Sequence, residues 1–428
     1  MLRTLLSAMV LLLAIGTTNI EAKSFTYSQV HNMPRSVEKD YYIWRFLCQG
    51  NCTASQAQTI IRDVNTLNKK LRESYKKKTG KPAKKYSNGT GKTASKAGRD
   101  AWLAKIASQK YFNTAIRSLQ QGKKDLAIIY FDKARRSARK QEEADKASFW
   151  LYKTTGNKGY LNVLLKSWDV NLYTLLARDI MHIKYPRTIT PKLSKKNPRH
   201  YNPQNPIHWA YIKKKLFKPG TDLQNLARGY AAEESVGVYT YIMAKASHHR
   251  NIYYPMPYRD ILSRFPKRRQ ALIYAIARQE SRFVPASVSR SFALGMMQIM
   301  PFLVKHIAKE RGEKIDLDEM FNPRKAIIYA NHHINYLATY LHNPLFVAYA
   351  YNGGIGFTRR LIKQSNYFRK GAYEPYLSIE KIKNVEAREY GKKVLVNYVI
   401  YLNKLGIPTR ITPYINDLTK PSETDSFR

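Results

Sequence analysis

The chain has 428 residues, of which 44% are hydrophobic and 12% are aromatic. This composition excludes an intrinsically disordered chain, and the length predicts two or three domains rather than a single core. Lysine and arginine outnumber aspartate and glutamate by 74 to 30, a net charge of +44. Such an excess predicts polyanionic surroundings, namely nucleic acid, an anionic membrane surface or an acidic cell wall, unless a basic proteome biases every surface in the same way.

The first 22 residues are typical of a secretory signal. Arg3 supplies a positive start, residues 5–15 form an apolar run, and residues 20–22 offer a cleavage site. The run is too short to span a bilayer comfortably, and no later segment reaches the roughly 18 uninterrupted apolar residues of a span. We therefore expect an exported chain with no integral membrane segment after cleavage. Nucleic acid is then the least expected of the polyanionic partners.

Two cysteines, Cys48 and Cys52, lie close together in the sequence. In an oxidising export compartment their spacing favours a small structural disulfide loop. A redox-active pair is the alternative, although three residues rather than two separate the cysteines and no thioredoxin-like pattern surrounds them. No further metal-ligating residues cluster nearby, so we expect no metal site there.

Residues 23–252 show one helical pattern after another, with few strand-like runs. Helices are predicted over residues 54–71, 101–119, 124–138, 144–152, 160–183, 208–217 and 223–246. Two stretches interrupt the pattern and are predicted linkers: residues 72–98, rich in lysine, glycine and serine, and residues 185–206, rich in proline and lysine.

The stretch from Pro266 to Pro301 is the most informative part of the chain. Its first half has apolar residues at helical spacing, and Pro285 is expected to end that helix. Glu280 falls on the apolar stripe, in the last turn or two. A carboxylate on an apolar face, near the negative end of a helix dipole, is disfavoured as an anion, so its pKa should be raised. That state suits a general acid, although a lone glutamate there is more often a surface residue.

Four motifs occur in a fixed order along this part of the chain. They are Ala277-Arg278-Gln279-Glu280-Ser281 with Ser289, Gly295-Met296-Met297-Gln298-Ile299-Met300-Pro301, Ala350-Tyr351-Asn352-Gly353-Gly354, and Glu380 with Glu386-Ala387-Arg388-Glu389-Tyr390. With these motifs the chain resembles the lytic transglycosylase domain of the soluble murein transglycosylases, a branch of the lysozyme superfamily. Between the first two motifs we expect a polar loop that opens into a second short helix.

The resemblance implies an all-α (mainly α) fold. An N-terminal α-superhelical domain is expected over residues 23–252, a lysozyme-like catalytic domain over 253–405 and a flexible tail over 406–428. Glu280 is the expected catalytic acid, and the expected substrate-binding residues are Ser289, Gly295, Met297, Gln298, Tyr351, Asn352, Glu380 and Tyr390. Core packing is the alternative for Met297 and Tyr351. Phe292 stands where the family commonly has glycine and is expected to reshape the loop.

The resemblance further implies a periplasmic enzyme that acts on peptidoglycan glycan strands. It would cleave the β-1,4 bond between MurNAc and GlcNAc and leave 1,6-anhydro-MurNAc ends, with one glutamate as acid and then base, and with no cofactor. We find no second carboxylate in a matching polar position, because Asp316, Asp318 and Glu319 fit a solvated turn and helix start. The pair His332-His333 has no further ligand set, so no metal is expected.

Two alternatives stay open. A hydrolase of the same fold, such as a goose-type lysozyme or a chitinase, would need a water-activating carboxylate. A non-enzymatic wall-binding scaffold would use the cleft only to grip glycan, but the presence of Glu280, Ser289 and Gln298 together argues against it.

Overall fold

The computed structural model describes residues 23–84, 96–194 and 200–428, with the backbone alone for residues 96–105. The predicted signal, residues 1–22, lies outside these ranges. The described residues are mainly helical, and their extended pairing is limited to five isolated bridges. None of the helices in the described ranges is long and apolar enough to cross a membrane. The prediction of an all-α fold is confirmed.

The helical region that precedes the proline-rich segment at residues 255–257 has frequent polar caps. Its helices are α1 (Tyr27–His31), α2 (Val37–Leu47), α3 (Ala54–Ile60), α4 (Lys69–Thr79), α5 (Lys96–Gln120), α6 (Lys124–Ser137), α7 (Gln141–Thr155), α8 (Gly159–Leu165), α9 (Leu172–Ile180), α10 (Pro206–Leu216), α11 (Leu223–Arg228) and α12 (Val236–Ala246). Ser36 and Asn171, for example, accept hydrogen bonds from the first turns of α2 and α9. Such caps stabilise short helices and set where each one starts.

The first predicted helix, residues 54–71, is in fact divided. α3 ends at Ile60, a 3-10 turn follows at Ile61–Asp63, and Asn68 caps a new helix, α4. A second N-cap inside one amphipathic pattern is the local cause of the break. α4 then continues into the predicted linker over 72–98 as far as Thr79, where Gly80 takes a left-handed conformation with φ of 70°.

The two cysteines are free thiols in the structure. The Sγ atom of Cys48 lies 3.4 Å from the hydroxyl of Ser74, whereas the buried Cys52 thiol donates to the carbonyl of Thr53 at 3.6 Å. Cys48 ends α2 and Cys52 lies beyond the following turn, so the two sulfurs contact different neighbours. The predicted disulfide between them is not formed.

The second half of the chain builds a compact helical core around α14 and α20. Its helices are α13 (Arg259–Leu262), α14 (Lys267–Glu280), α15 (Pro301–Glu310), α16 (Pro323–Ala338), α17 (Pro344–Gly353), α18 (Ile355–Lys363), α19 (Tyr376–Lys381) and α20 (Val385–Lys404). Asn397 of α20 accepts hydrogen bonds from Arg278 at 2.7 Å and from Tyr254 at 3.0 Å. A Cβ atom at Gly391 would lie 2.2 Å from the ring of Tyr349, so glycine there permits the close packing of α17 on α20.

The last residues fold back onto this core as α21 (Thr412–Asn416) and α22 (Pro421–Thr424). Arg428 and Asp425 form a buried ion pair at 2.7 Å, with side chains 3% and 0% exposed. Residues 424–426 also pair with the backbone of residues 340–343. The prediction of a flexible tail over residues 406–428 was wrong, because composition alone does not show that a polar segment has buried partners.

The N-terminal helices contact the second half of the chain through a buried charge cluster. Arg45 of α2 pairs with Asp316 at 2.6 Å and with Asp318 at 2.9 Å, and the hydroxyl of Tyr41 donates to Asp318 at 2.8 Å. The side chains of Arg45 and Asp316 are 9% and 7% exposed. These aspartates therefore do not form the solvated turn expected from the sequence. They fix α2 to the loop before α16.

We predict that Arg45→Met lowers the free energy of unfolding by about 3–5 kcal/mol, because it leaves two carboxylates without their buried partner. Urea unfolding monitored by circular dichroism would measure the change. Lys69→Met is the matched control, since its pair with Glu73 is 3.7 Å long and exposed, and such pairs contribute less than about 1 kcal/mol. Equal effects of the two substitutions would contradict a structural role for Arg45.

Candidate active site

Glu280 is the last residue of α14. The helix does not run on to Pro285, because Arg282 and Phe283 take left-handed conformations with φ of 54° and 66°. Two consecutive left-handed residues cannot continue a right-handed helix, so the chain turns sharply after Ser281. The predicted position of Glu280 in the last turn is confirmed, although the break comes before the proline.

One tyrosine, Tyr390, holds the Glu280 carboxyl, and a second, Tyr351, lies near it. The hydroxyl of Tyr390 in α20 donates a hydrogen bond to Oε1 of Glu280 at 2.8 Å. The hydroxyl of Tyr351 in α17 donates to the carbonyl of Met297 at 2.9 Å. Burial raises the pKa of the Tyr351 hydroxyl well above its usual value, and the nearby charge of Glu280 adds to that rise. The structure thus brings Glu280, Tyr351 and Tyr390 together, as the motifs predict.

Burial is the main influence on Glu280 and raises its pKa to about 8. The hydrogen bond from Tyr390 acts in the opposite direction, and the charge of Glu386 raises the pKa further. Glu280 is therefore mainly protonated at neutral pH. Oε1 accepts the bond from Tyr390, which favours Oε2 as the oxygen that carries the proton.

The loop over residues 287–300 is held by its own backbone rather than by a helix. Leu294 bridges Val288 on one side and Ile299 on the other. Gly295 and Gln298 have φ of 74° and 50°, which no α-helix accommodates. The second helix, α15, therefore begins only at Pro301.

Four of the predicted binding residues stabilise this loop. The hydroxyl of Ser289 accepts from the backbone of Ala293 at 2.9 Å, and the Gln298 amide donates to the carbonyls of Gly295 at 2.8 Å and Ser287 at 3.1 Å. The side chain of Met297 is fully buried, so core packing, the alternative expected for it, is what the structure shows.

Gly295 permits a close backbone approach, but toward the protein rather than toward a sugar. A Cβ atom at this position would lie 1.9 Å from the carbonyl oxygen of Met320. Any other residue would push the loop away from the segment that carries Asp318.

Phe292 ties the same loop to the N-terminal helices. Its ring is fully buried and stacks on Trp44 at 5.5 Å, with the edge of Tyr41 at 5.9 Å. Phe292 has φ of 63°, a strained conformation for a residue with a side chain. The aromatic contacts with α2 offset that strain, so the phenylalanine anchors the loop to a second region of the chain.

Glu380 lies away from the site, contrary to the prediction. Its side chain is 2% exposed and accepts from the hydroxyl of Tyr173 in α9 and from Lys392, whose Nζ lies 3.4 Å away. Burial favours its neutral form, but the charges of Lys392, Lys146 and Arg388 outweigh burial and hold its pKa below the usual value. Glu380 joins the helical region to α20 and cannot touch a substrate.

Glu386 is the acidic residue that sequence reasoning left without a role. It is exposed on the first turn of α20, four residues before Tyr390, and its charge acts on Glu280. Residues four apart share one face of a helix. That spacing within the last motif was the signal that could have identified it.

The remaining candidates lie on α16 and α17. Asn352 follows Tyr351 and is half-buried. His332 pairs with Glu310 at 2.8 Å, while the ring of His333 lies 5.6 Å from that of Tyr351. Burial lowers the pKa of His333 to about 4. No group of three or more metal-ligating side chains occurs among the described residues.

A cavity of about 630 Å³ lies beside α14, between the helical region and α20. Its walls carry more cations than anions: the cationic groups are Arg139, Lys140, Arg278, Arg282, Lys392 and Lys393, and the acidic ones are Glu142 and Asp169. Glu280 is not part of its wall, although the preceding residue, Gln279, is. A cationic cavity thus adjoins the helix that ends in the buried acid.

We predict that Glu280→Gln stabilises the protein at alkaline pH. A pKa raised by folding favours the protonated form, so the wild type loses stability as the pH rises from about 4.5 through about 8, whereas glutamine does not. The variant should exceed the wild type by about 5 kcal/mol at about pH 9 and match it near pH 4. Urea unfolding across this range would test it, with the exposed Glu73→Gln as control. A constant difference at all pH values would contradict the raised pKa.

Comparisons with known proteins agree with this geometry. Residues 264–373 match the family model described as Transglycosylase SLT domain. The soluble lytic murein transglycosylase of Salmonella typhimurium is 29% identical over 211 residues, which cover 46% of this chain and 31% of the relative. That of Escherichia coli K12 is 29% identical over 207 residues, with the same coverage. The matched region is thus about a third of the length of these relatives.

Two solved structures are also similar. The 70 kDa soluble lytic transglycosylase of Escherichia coli aligns with a TM-score of 0.49 at 18% identity, over 93% of this chain and 67% of that one. A complex of the 70 kDa soluble lytic transglycosylase with bulgecin A aligns with a TM-score of 0.50 at 18% identity, over 90% of this chain and 66% of that one. The latter supports the mainly helical fold described above. Residues 264–373 are therefore similar to the transglycosylase SLT domain, and the predicted resemblance to the soluble lytic murein transglycosylases is confirmed.

Proposed function

We propose that the protein is a lytic transglycosylase that cleaves the β-1,4 bond between MurNAc and GlcNAc in peptidoglycan and leaves 1,6-anhydro-MurNAc ends. One observation carries this proposal: a protonated carboxyl, Glu280, at the end of a buried helix within an SLT domain. General acid catalysis needs a group that holds its proton at working pH and gives it up to the leaving oxygen. A pKa of about 8 meets that requirement.

The proposed reaction uses Glu280 twice. Oε2 of Glu280 first donates its proton to the glycosidic oxygen, the bond to the anomeric carbon of MurNAc breaks, and the substrate's own acetamido oxygen stabilises the positive charge. Glu280, now a carboxylate, then removes the proton from the C6 hydroxyl of MurNAc. The C6 oxygen bonds to the anomeric carbon and closes the anhydro ring. The acid is restored and no water is consumed.

The surrounding residues support these steps. Tyr390 occupies Oε1 and so leaves Oε2 to carry the proton, and it lowers the cost of the carboxylate form in the second step. Burial favours the protonated form of Glu280 before substrate is cleaved, and the charge of Glu386 adds to this effect. We propose that Asn352 and Tyr351 contact the sugar from α17. We assign Ser289, Gln298 and Met297 to positioning the loop opposite it.

The cellular setting is also part of the proposal. We propose that residues 1–22 direct export to the periplasm, that residues 23–252 form the helical domain and that 253–405 form the catalytic domain. Peptidoglycan stem peptides carry free carboxylates, which the net charge of +44 and the cationic cavity beside α14 attract. No partner beyond the glycan strand is needed for the reaction.

The proposed reaction predicts a particular product. Mass spectrometry of purified sacculi digested by the protein should show fragments one water lighter than hydrolysis products, because the C6 hydroxyl replaces water. Glu280→Gln should lower their rate of release by at least about a hundredfold, the contribution of a positioned general acid. Glu73→Gln should release them normally.

Products of full hydrolytic mass would instead assign the protein to the lysozyme-type hydrolases. Glu386→Gln would then test whether Glu386 activates the water. Its carboxylate is exposed, and its charge acts on Glu280. No release from the wild type would leave only a glycan-binding scaffold.

The proposed reaction also predicts how the rate of cleavage depends on pH. The rate constant kcat/KM should fall as the pH rises through about 8, because the free enzyme then loses the proton on Glu280. Tyr390→Phe removes a hydrogen bond that favours the carboxylate, so the alkaline fall should move to higher pH by about one unit. Tyr349→Phe is the control, since the hydroxyl of this buried tyrosine has no hydrogen-bond partner. A shift toward lower pH in Tyr390→Phe would contradict the assignment.

A further inference from the structure

A row of aromatic rings leads away from the Glu280 site along α16. We define the aromatic track as Tyr351, His333, Tyr336 and Tyr340. Neighbouring ring centroids along it are 5.6, 6.2 and 5.8 Å apart. The track begins at a ring that contacts the loop opposite Glu280, so it is continuous with the proposed cleft.

The spacing in the sequence explains this alignment. His333 and Tyr336 are three residues apart and lie on one face of α16, and the turn after Ala338 brings Tyr340 next to Tyr336. Tyr336 and Tyr340 are 49% and 37% exposed, although large aromatic side chains usually bury their surface. Burial lowers the pKa of His333 to about 4, so its ring is neutral at physiological pH.

The C-terminal segment holds the far end of the track. Tyr340 comes just after α16, and its carbonyl accepts a hydrogen bond from the backbone of Ser426 at 2.9 Å. This pairing places Phe427 against Tyr340, with the rings nearly parallel at 8° and 5.4 Å apart. Arg359 lies 5.5 Å from the Phe427 ring. Phe427 is thus a positioning residue that fixes the ring of Tyr340, and it lies outside the matched SLT domain.

We propose that the aromatic track binds the glycan strand beyond the sugars that contact Glu280. Sugar rings have apolar faces of C–H groups, which pack on the electron-rich faces of aromatic rings while their hydroxyls stay in water. His333 and Tyr340 are seven positions apart, which is about 10 Å at the rise of a helix, about the length of a disaccharide. An apolar peptide would favour a concave groove, whereas an exposed row of separated rings suits a linear polymer of flat rings.

The inference rests on the proposed function, and its test measures binding rather than cleavage. The probes are peptide-free tetrasaccharides and octasaccharides prepared from peptidoglycan, and the protein is the full chain with Glu280→Gln, so that the probes stay intact. The octasaccharide should bind about tenfold more tightly than the tetrasaccharide, the gain expected from burying the exposed parts of two aromatic rings.

Adding Tyr336→Ala and Tyr340→Ala to Glu280→Gln should remove this preference for length and leave tetrasaccharide binding unchanged. Phe427→Ala should weaken the preference, because the ring of Tyr340 is then free to move. Tyr211→Ala is the matched control, since Tyr211 is also 49% exposed but lies on α10. Circular dichroism would verify that each variant is folded.

A length preference that survives the double substitution, or that is absent from the Glu280→Gln protein, would overturn the inference. Sedimentation of the same variants tests the other occupant, a second copy of the chain: a change from dimer to monomer with unchanged glycan binding would also overturn it. If the track binds long strands but the wild type produces no anhydro ends, the inference stands and the proposed reaction fails.

Discussion

The desolvation of a single carboxyl at the end of α14 is the constraint on which the site depends. Glu280 keeps its proton because the surrounding core disfavours its anion, and this effect exceeds the opposing hydrogen bond from Tyr390. The left-handed residues after Ser281 end α14 directly behind this glutamate and turn the chain into the loop beside it.

The N-terminal helices take part in building the site. α2 holds Phe292 by aromatic stacking and the Asp316 segment by an ion pair, and the loop between these points contains Ser289 and Gln298. On the other side, Tyr173 of α9 reaches Glu380 within the buried charge network of α20. The helix that presents Tyr390 is thus fixed by contacts with the N-terminal helices. These contacts cross the domain boundary that the sequence predicts between residues 252 and 253.

The sequence predicts the parts of this architecture that depend on local pattern. The all-α fold, the end of α14 near Glu280 and the meeting of Tyr351 with Tyr390 follow from periodicity and ordered motifs. It does not predict which side chains become buried partners. Glu380 and Glu386 both belong to the last motif, and only the packing of α9 against Lys392 shows that the first is structural. Likewise, no local pattern reveals that Asp316 meets Arg45 or that Asp425 meets Arg428.

The positions of these buried ion pairs also show how so cationic a chain can fold. With 74 basic and 30 acidic residues, most positive charges have no acidic partner and must remain in water. Acids are consequently concentrated where a cation is enclosed: Asp316 with Arg45, Glu380 with Lys392, and Asp425 with Arg428. Asp40, Asp145 and Glu280 differ, because backbone amides or uncharged side chains donate their hydrogen bonds and burial raises the pKa of each carboxyl. A lysine or arginine in contact with Glu280 would stabilise the carboxylate and lower the pKa, so a tyrosine partner lets Glu280 remain an acid.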